Sequence, residues 1–369
     1  MSIGKKNTAL VIGASGTVGR ACVEALLNQG FWVCATARHL ERLTIRHTAR
    51  QERLQKLAFD ITKDNIPIND AGELPNIVIN CAGPAYQFSE LVLTRCLAQK
   101  IPILIDVGAE PSLIDHYQQA CQQKDMTVII GAGVQPGLAG LSIRAVAQRL
   151  LGEHKSIITH IGGLQTLTPA GLADYLYAVK AGLSRPAQCW QAPQLHPISH
   201  TLAPPPSFPS TATAHASLDD ESLFVAHIEE LTHLESYNVI DAPELARQLQ
   251  AAIGSDNPSE LPSCEELNLC LFGKTPYFRI HTSGSAQHQG QQSNFQTLAY
   301  CQDSYRLTGQ IAAHAACWAQ AGKYPTGINW FSAIDSALQA WNELLLENKE
   351  LYINWQETAA QTEIETGTL

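Results

Sequence analysis

Gly13, Gly16 and Gly19 follow directly on the apolar run 8–12 and open the amphipathic stretch Arg20 to Leu27. Apolar strand, glycine turn and helix in this order build a cradle for a pyrophosphate. The first glycine makes the tight turn, the second lets backbone approach phosphate, and the third lets helix and strand pack closely. The helix N-terminus adds unpaired N–H groups and a partial positive charge. Gly13, Ser15, Gly16, Thr17, Val18 and Gly19 are therefore the first candidate cofactor contacts. The run 31–36 reads as the second strand, and no carboxylate ends it; Glu41 comes too late. An NAD-type site would place an Asp or Glu there, on the ribose 2′-hydroxyl. Here Thr36 leaves room for a phosphate and offers a hydroxyl, and Arg38 offers a planar cation, so the pattern points to NADP(H). Asp60 reads as an acceptor for the adenine amino group or as a helix cap. The small turn Asn80-Cys81-Ala82-Gly83-Pro84 lets backbone lie against a nicotinamide ribose, with Cys81, Ala82, Gly83 and Pro84 as contacts and Cys81 as a packing residue rather than a nucleophile. Hydride transfer also calls for a proton donor. Tyr86, Asp106 and Glu110 are the candidates; the two carboxylates read equally well as caps of a helix beginning near Ser112. His160 and Tyr305 read as packing residues, with proton transfer as the other reading.

These side chains need a scaffold that gathers strand ends. Strand-like runs at 8–12, 31–36, 54–59, 76–80, 101–106 and 127–131 alternate with helical patterns such as 88–99 and 112–124. The alternation predicts an α/β, doubly wound (Rossmann) parallel sheet whose ligands sit at the carboxyl ends of the strands. Past residue 150 the pattern changes to strands at 156–163, 277–283 and 293–301 mixed with helices such as 171–181, 223–234 and 242–253, which predicts a second α+β sheet domain. The division is then 1–150 for the dinucleotide domain and 151–310 for a substrate and dimerisation domain. Helices over 311–355 return to the first domain, and 356–369 forms a flexible tail. Residues 186–220, rich in Pro, Ser and Thr and holding Pro204-Pro205-Pro206, read as a long, partly mobile loop or lid.

Composition sets the outer limits. The 369 residues are 45% hydrophobic and 16% charged, as in a globular protein with a sizeable core, and the net charge of −10 argues against nucleic acid as a partner. No apolar run is long enough to span a membrane. The chain enters its first strand after Lys5-Lys6 without a secretory pattern, and its ten cysteines show no C-x-x-C pair or zinc spacing. A cytoplasmic protein with reduced thiols and no metal is the expectation.

Four segments together resemble the saccharopine dehydrogenase-like family of nicotinamide oxidoreductases. They are Gly13-Ala14-Ser15-Gly16-Thr17-Val18-Gly19, Val78 to Pro84, Leu104 to Glu110, and Ile130-Gly131-Ala132-Gly133-Val134-Gln135-Pro136-Gly137. The likeness extends more loosely to Tyr305-Arg306-Leu307-Thr308-Gly309, Gly322 and Gly327. The resemblance implies an NADPH-dependent oxidoreductase that delivers hydride to the C=N bond of a small or carrier-linked, amino-acid-derived substrate, and a homodimer. Reduction of an enoyl C=C bond with the same cofactor site is one alternative, and a non-catalytic NADP-binding regulator is another. One position departs from the family: Gln135 stands where amine-forming members carry an Asp, and an amide does not pair with an ammonium as a carboxylate does.

Overall fold

The computed structural model describes residues 7–45, 50–68, 72–108, 110–200, 202–254, 262–288, 291–348 and 350–357. The first sheet contains β1 (Thr8–Ile12), β2 (Trp32–Ala37), β3 (Leu54–Ala58), β4 (Ile77–Asn80), β5 (Ile103–Asp106), β6 (Thr127–Ile130) and β15 (Gly327–Trp330). All seven are parallel, in the order β3-β2-β1-β4-β5-β6-β15. Its central strands are short and almost wholly buried, such as Ile77-Val78-Ile79-Asn80, so they read as continuous apolar runs rather than alternating ones. The helices α1 (Thr17–Asn28) and α9 (Ser304–Gln320) cover one face; Cys22, Leu26, Leu307 and Ile311 lie in that core. The helices α2 (Ala85–Gln99) and α3 (Ser112–Gln123) cover the other with Val92, Leu93, Leu113 and Cys121.

The second sheet is mixed. Along it run β10 (Gln194–Pro197), β9 (Gln188–Gln191), β12 (His233–Ile240), β7 (Glu153–Leu164), β13 (Tyr277–His288), β14 (Gln291–Cys301) and β16 (Tyr352–Glu357). Beside β12 lies β11 (Thr213–Asp219), itself paired with β8 (Ser184–Pro186). Helix α4 (Leu138–Arg149) is buried on nearly every side, against this sheet and against α10 (Ala337–Glu347). The first core runs on through α4 and α10 to Ile161, Ile280 and Ala299 of the second sheet, so one apolar interior links both. The remaining helices are α5 (Pro169–Lys180), α6 (Asp220–Ile228), α7 (Pro243–Gly254) and α8 (Cys264–Leu269). No helix among the described residues is long and apolar enough to cross a membrane.

The doubly wound sheet with a second α+β sheet is as expected from sequence. Four local expectations differ from the structure. The 186–220 segment is not one loop: β9 and β10 form a hairpin around Pro193, β11 joins the sheet, and among the described residues the longer stretches without strand or helix are 198–200 and 202–212. Its prolines fall at strand ends and turns, where a missing N–H costs nothing, and Cys189 and Trp190 are buried by the pairing. The helix expected over 223–234 stops at Ile228, and β12 follows. The region 311–355 is not wholly helical, since it contributes β15 to the first sheet. The expected tail begins inside β16, which takes Gln356 and Glu357; residues 358–369 lie outside the described residues.

Candidate active site

The turn from β1 to α1 is bare backbone. Gly13 has φ +77°, and a Cβ on it would stand 2.8 Å from Ala82 N; a Cβ on Gly19 would stand 2.3 Å from Gly13 O. Neither position accepts a side chain. Gly16, the α1 N-cap, has no comparable obstruction and is exposed with Thr17, while Ser15 is half-buried beside them. No side chain caps α1 and its first turn carries no acid. Its first amides therefore lack intrahelical partners and face outward. An open, uncapped helix N-terminus next to a β-strand end fits a dinucleotide pyrophosphate.

The end of β2 divides the two residues assigned to a ribose phosphate. Thr36 does not serve: it is buried, and its hydroxyl donates to Val11 O at 2.9 Å across the sheet. Arg38 is exposed just past the strand, where its charge acts on Asp60. Asp60 in turn is committed to its own turn. Its Oδ1 accepts from Thr62 N at 3.0 Å and Thr62 Oγ1 at 2.7 Å, and these bonds hold the carboxyl below its usual range. No helix follows Asp60 before β4 among the described residues, so its carboxylate closes a turn and is not the helix cap expected from sequence.

Between the carboxyl ends of the first sheet and the near face of the second lies a cleft of about 580 Å³. Val18, Cys81, Ala82, Gly83, Tyr86, Glu110 and Tyr305 line it, as do Gln135 and Asn238, whose side chains are hydrogen-bonded at 2.9 Å. Pro84 stands just behind as the N-cap of α2. Tyr86 stacks on Tyr177 of α5 with ring centroids 4.3 Å apart. Asp106 does not line the cleft and is 2% exposed. Its carboxylate accepts from Asn80 Nδ2 and from Gly108 N, each at 2.9 Å, and ties the ends of β4 and β5 together. Burial pushes Asp106 up to about 6, against the opposing pull of those two bonds. It is a positioning residue, and the helix-cap alternative does not hold for it. Glu110 lies in the cleft and accepts from Ser112 Oγ at 2.8 Å; its carboxylate takes no amide of α3, so it does not cap that helix. Cys81 is a packing residue: a hydrogen bond with Cys22, burial and the Asp106 charge hold its thiol well above the usual range. His160 is buried on the other face of β7, stacked on Tyr237 at 5.0 Å, and does not reach the cleft.

Two cleft carboxylates were not singled out from sequence. Asp174 on α5 accepts from Ala85 N at 2.7 Å and so caps α2, a helix of the other sheet. Burial raises its carboxyl above the usual value, and the neighbouring Glu110 adds to the rise. Glu221 in α6 accepts from Gly137 N at 2.7 Å and Ser332 Oγ at 2.6 Å, at the N-terminus of α4. Burial drives it up to about 8, the nearby Asp219 adding to the effect. Both lie in ordinary helical context, on elements far in sequence from the strand ends, and only the tertiary fold brings them in.

No protein-family model matches the chain. A curated Haemophilus influenzae protein described as a probable NADP-dependent dehydrogenase is 34% identical over 87 residues, 22% of this chain. That match spans 34% of the relative's own length, about a third. Among solved structures, apo saccharopine dehydrogenase (L-Glu forming) from Saccharomyces cerevisiae superposes with a TM-score of 0.66 over 96% of this chain and 100% of that one, at 13% identity. The chain has the fold of saccharopine dehydrogenase. A C. glutamicum DAP dehydrogenase in complex with DAP superposes with a TM-score of 0.50 over 93% of this chain and 100% of that one, also at 13% identity. The likeness to saccharopine dehydrogenase covers nearly the whole chain at only 13% identity and is a likeness of fold.

Proposed function

We propose that this chain is an NADPH-dependent oxidoreductase that transfers hydride to the C=N bond of an amino-acid-derived substrate. One observation carries the choice of C=N over C=C. The cleft's charged lining consists of Glu110, Asp174, Asp219, Asp220 and Glu221, with no Lys or Arg among the described residues. A protonated imine is a cation and its amine product is another, so carboxylates favour both. An enolate formed from an enoyl group is an anion and would meet repulsion there. Three of the five carboxylates are committed: Asp219 caps α6, Asp220 pairs with Arg185 at 2.6 Å, and Glu221 holds the start of α4.

Glu110 and Asp174 are also held, through Oε1 on Ser112 Oγ and Oδ1 on Ala85 N, and this reading assigns the second oxygen of each to the substrate. Asp174, raised by burial, keeps a proton to higher pH than a solvated carboxyl and is the proton donor of this reading. Tyr86, held on Tyr177, supplies a flat wall that positions the substrate. NADPH, when bound, supplies the hydride. The residues that would hold it are Gly13 to Gly19 at the pyrophosphate, Cys81 to Pro84 at the nicotinamide ribose, and Arg38 at the 2′-phosphate. The same reading takes the second sheet as a homodimer interface in a cytoplasmic enzyme; a monomer at micromolar concentration in sedimentation would overturn the dimer.

The deciding experiment is single-turnover oxidation of protein-bound NADPH with a panel of cyclic and amino-acid-derived imines beside matched enoyl compounds. Turnover of imines is the expected result. Turnover confined to enoyl compounds would replace the C=N reading, and tight NADPH binding with no turnover of either would make the chain a cofactor-binding regulator.

A further inference from the structure

The second sheet has a face turned away from the cleft, and it carries a cluster the proposed reaction does not use. Along β12, Asn238 and Ile240 line the cleft. His233, Glu235 and Tyr237 alternate with them and point the other way. On β9, Gln191 and Trp190 pair with His233 and Leu234, which brings Cys189 alongside Glu235. The Cys189 sulfur, a His233 ring nitrogen and a Glu235 carboxylate oxygen all lie within 4.8 Å of one another. His233 Nε2 is 3.0 Å from Glu235 Oε1, and His200 Nε2, from the segment after β10, is 3.3 Å from Glu235 Oε2.

We propose that Cys189, His200, His233 and Glu235 form a binding site for a divalent transition-metal ion, with zinc the ion that this donor set suits. One thiol, two imidazoles and one carboxylate are the ligands of zinc sites; magnesium and calcium take oxygen donors. Donors about 2.0–2.3 Å from a tetrahedral ion stand roughly 3.3–3.8 Å from one another. The histidine–glutamate separations are already close to that span; the sulfur lies within 4.8 Å of the His233 and Glu235 donors, while His200 stands outside that group of three and has to swing in on its exposed side chain to complete the set. Cys189 and Glu235 are both nearly fully buried, 2% and 4% exposed. The Cys189 thiol donates to His196 O at 3.6 Å, a long bond that a metal–thiolate bond would replace. The Tyr237 hydroxyl donates to Glu235 and fixes its orientation, as an outer-shell partner does for a ligating carboxylate. Exposed His200 completes the set from outside and leaves the ion a way in.

The ion's role in this arrangement is structural. It lies across the sheet from the cleft and touches none of its lining. It pins residues 198–200, together with the β9–β10 hairpin that buried Trp190 already anchors in the core, onto β12.

The test is cobalt titration of the full-length chain purified in the presence of a chelator. One equivalent of Co²⁺ should bind with a thiolate-to-cobalt absorption and be displaced by Zn²⁺. The chain has ten cysteines, so Cys189→Ala assigns the thiolate: the absorption should vanish in it. His200 is on the surface and His200→Ala should fold; losing a direct ligand should weaken cobalt binding by no less than the roughly 10–100-fold typical of an outer-shell partner. Zinc should raise the thermal midpoint of the unsubstituted chain and raise that of Cys189→Ala little. Absence of stoichiometric binding, or equal absorption and affinity in both variants, would overturn the site and leave a hydrogen-bonded histidine–glutamate cluster.

Discussion

Replacing Glu221 by Gln should make the protein more stable in alkali, although it removes a carboxylate from a helix N-terminus. Glu221 is 2% exposed, and its folded-state value near 8 stands well above the roughly 4.3 of an unfolded chain. Between those values the folded chain holds a proton that the unfolded chain has released. Stability from this group is therefore fully present below about pH 4 and is lost at about 1.4 kcal/mol per pH unit as pH rises to 8. The whole interval amounts to about 5 kcal/mol, as an upper figure. Gln matches the protonated form in shape. Its carbonyl can accept from Gly137 N and its amide can donate to Ser332 Oγ, so both present contacts keep a partner. Equilibrium urea unfolding of the two proteins at pH 5, 7 and 9 isolates this group, because every other titration cancels in the difference. Glu221→Gln should gain on the parent by a few kcal/mol between pH 5 and pH 9. A difference independent of pH would refute the argument from burial. A difference of the opposite slope would mean that the helix N-terminus holds the carboxylate ionised.

Arg38→Ala should weaken NADPH binding at least tenfold, from roughly 1.5–3 kcal/mol for a charged contact, and leave NADH binding unchanged; equal losses measured by calorimetry would end its assignment to the 2′-phosphate. Asp174→Asn keeps an acceptor for Ala85 N, so it should unfold close to the parent while single-turnover reduction slows by about 100-fold or more. Full activity in that variant would remove Asp174 as proton donor. Asp106→Ala leaves Asn80 Nδ2 and Gly108 N without their acceptor and should cost about 1–3 kcal/mol on unfolding, with cofactor affinity falling only as the fold loosens; a loss of turnover without loss of stability would return Asp106 to the chemistry. Gly13→Ala, at φ +77° and against Ala82 N, should abolish cofactor binding or folding, and normal binding in a titration would contradict the cradle.

The first sheet was legible because its information is local. Each central strand is a short apolar run that ends in a turn motif, and the motif at Gly13 to Gly19 fixes both the turn and the helix after it. The second sheet was less so. In β12 five of eight residues are buried, four of them in a row, so the period-two pattern that marks a half-exposed strand is erased; its first two residues were read as the end of a helix and the rest was not read as a strand. The proline-rich stretch misled in the opposite direction: composition suggested a loop, while pairing with β12 decided the structure. The site shows the same division. Backbone contacts for a cofactor follow from strand ends, but Thr36 and Asp106 sit at strand ends too, with their side chains turned inward to neighbouring strands. Asp174 and Glu221 needed the tertiary fold, since each reaches the cleft from a helix far along the chain.

The seventh strand of the first sheet has a consequence for how the molecule comes to exist. Gly327-Ile328-Asn329-Trp330 pairs with β6, whose residues stand 200 positions earlier in the chain. Until those residues leave the ribosome, Thr127–Ile130 is an uncapped sheet border, and the groove that α9 fills over α1 is open apolar surface. The dinucleotide half cannot mature as the first product of synthesis, as an N-terminal domain ordinarily does; it has to wait for the chain to finish the other sheet and come back. A nonsense mutation between α4 and α9 would leave the six earlier strands with a bare border at β6 and an apolar face uncovered over α1.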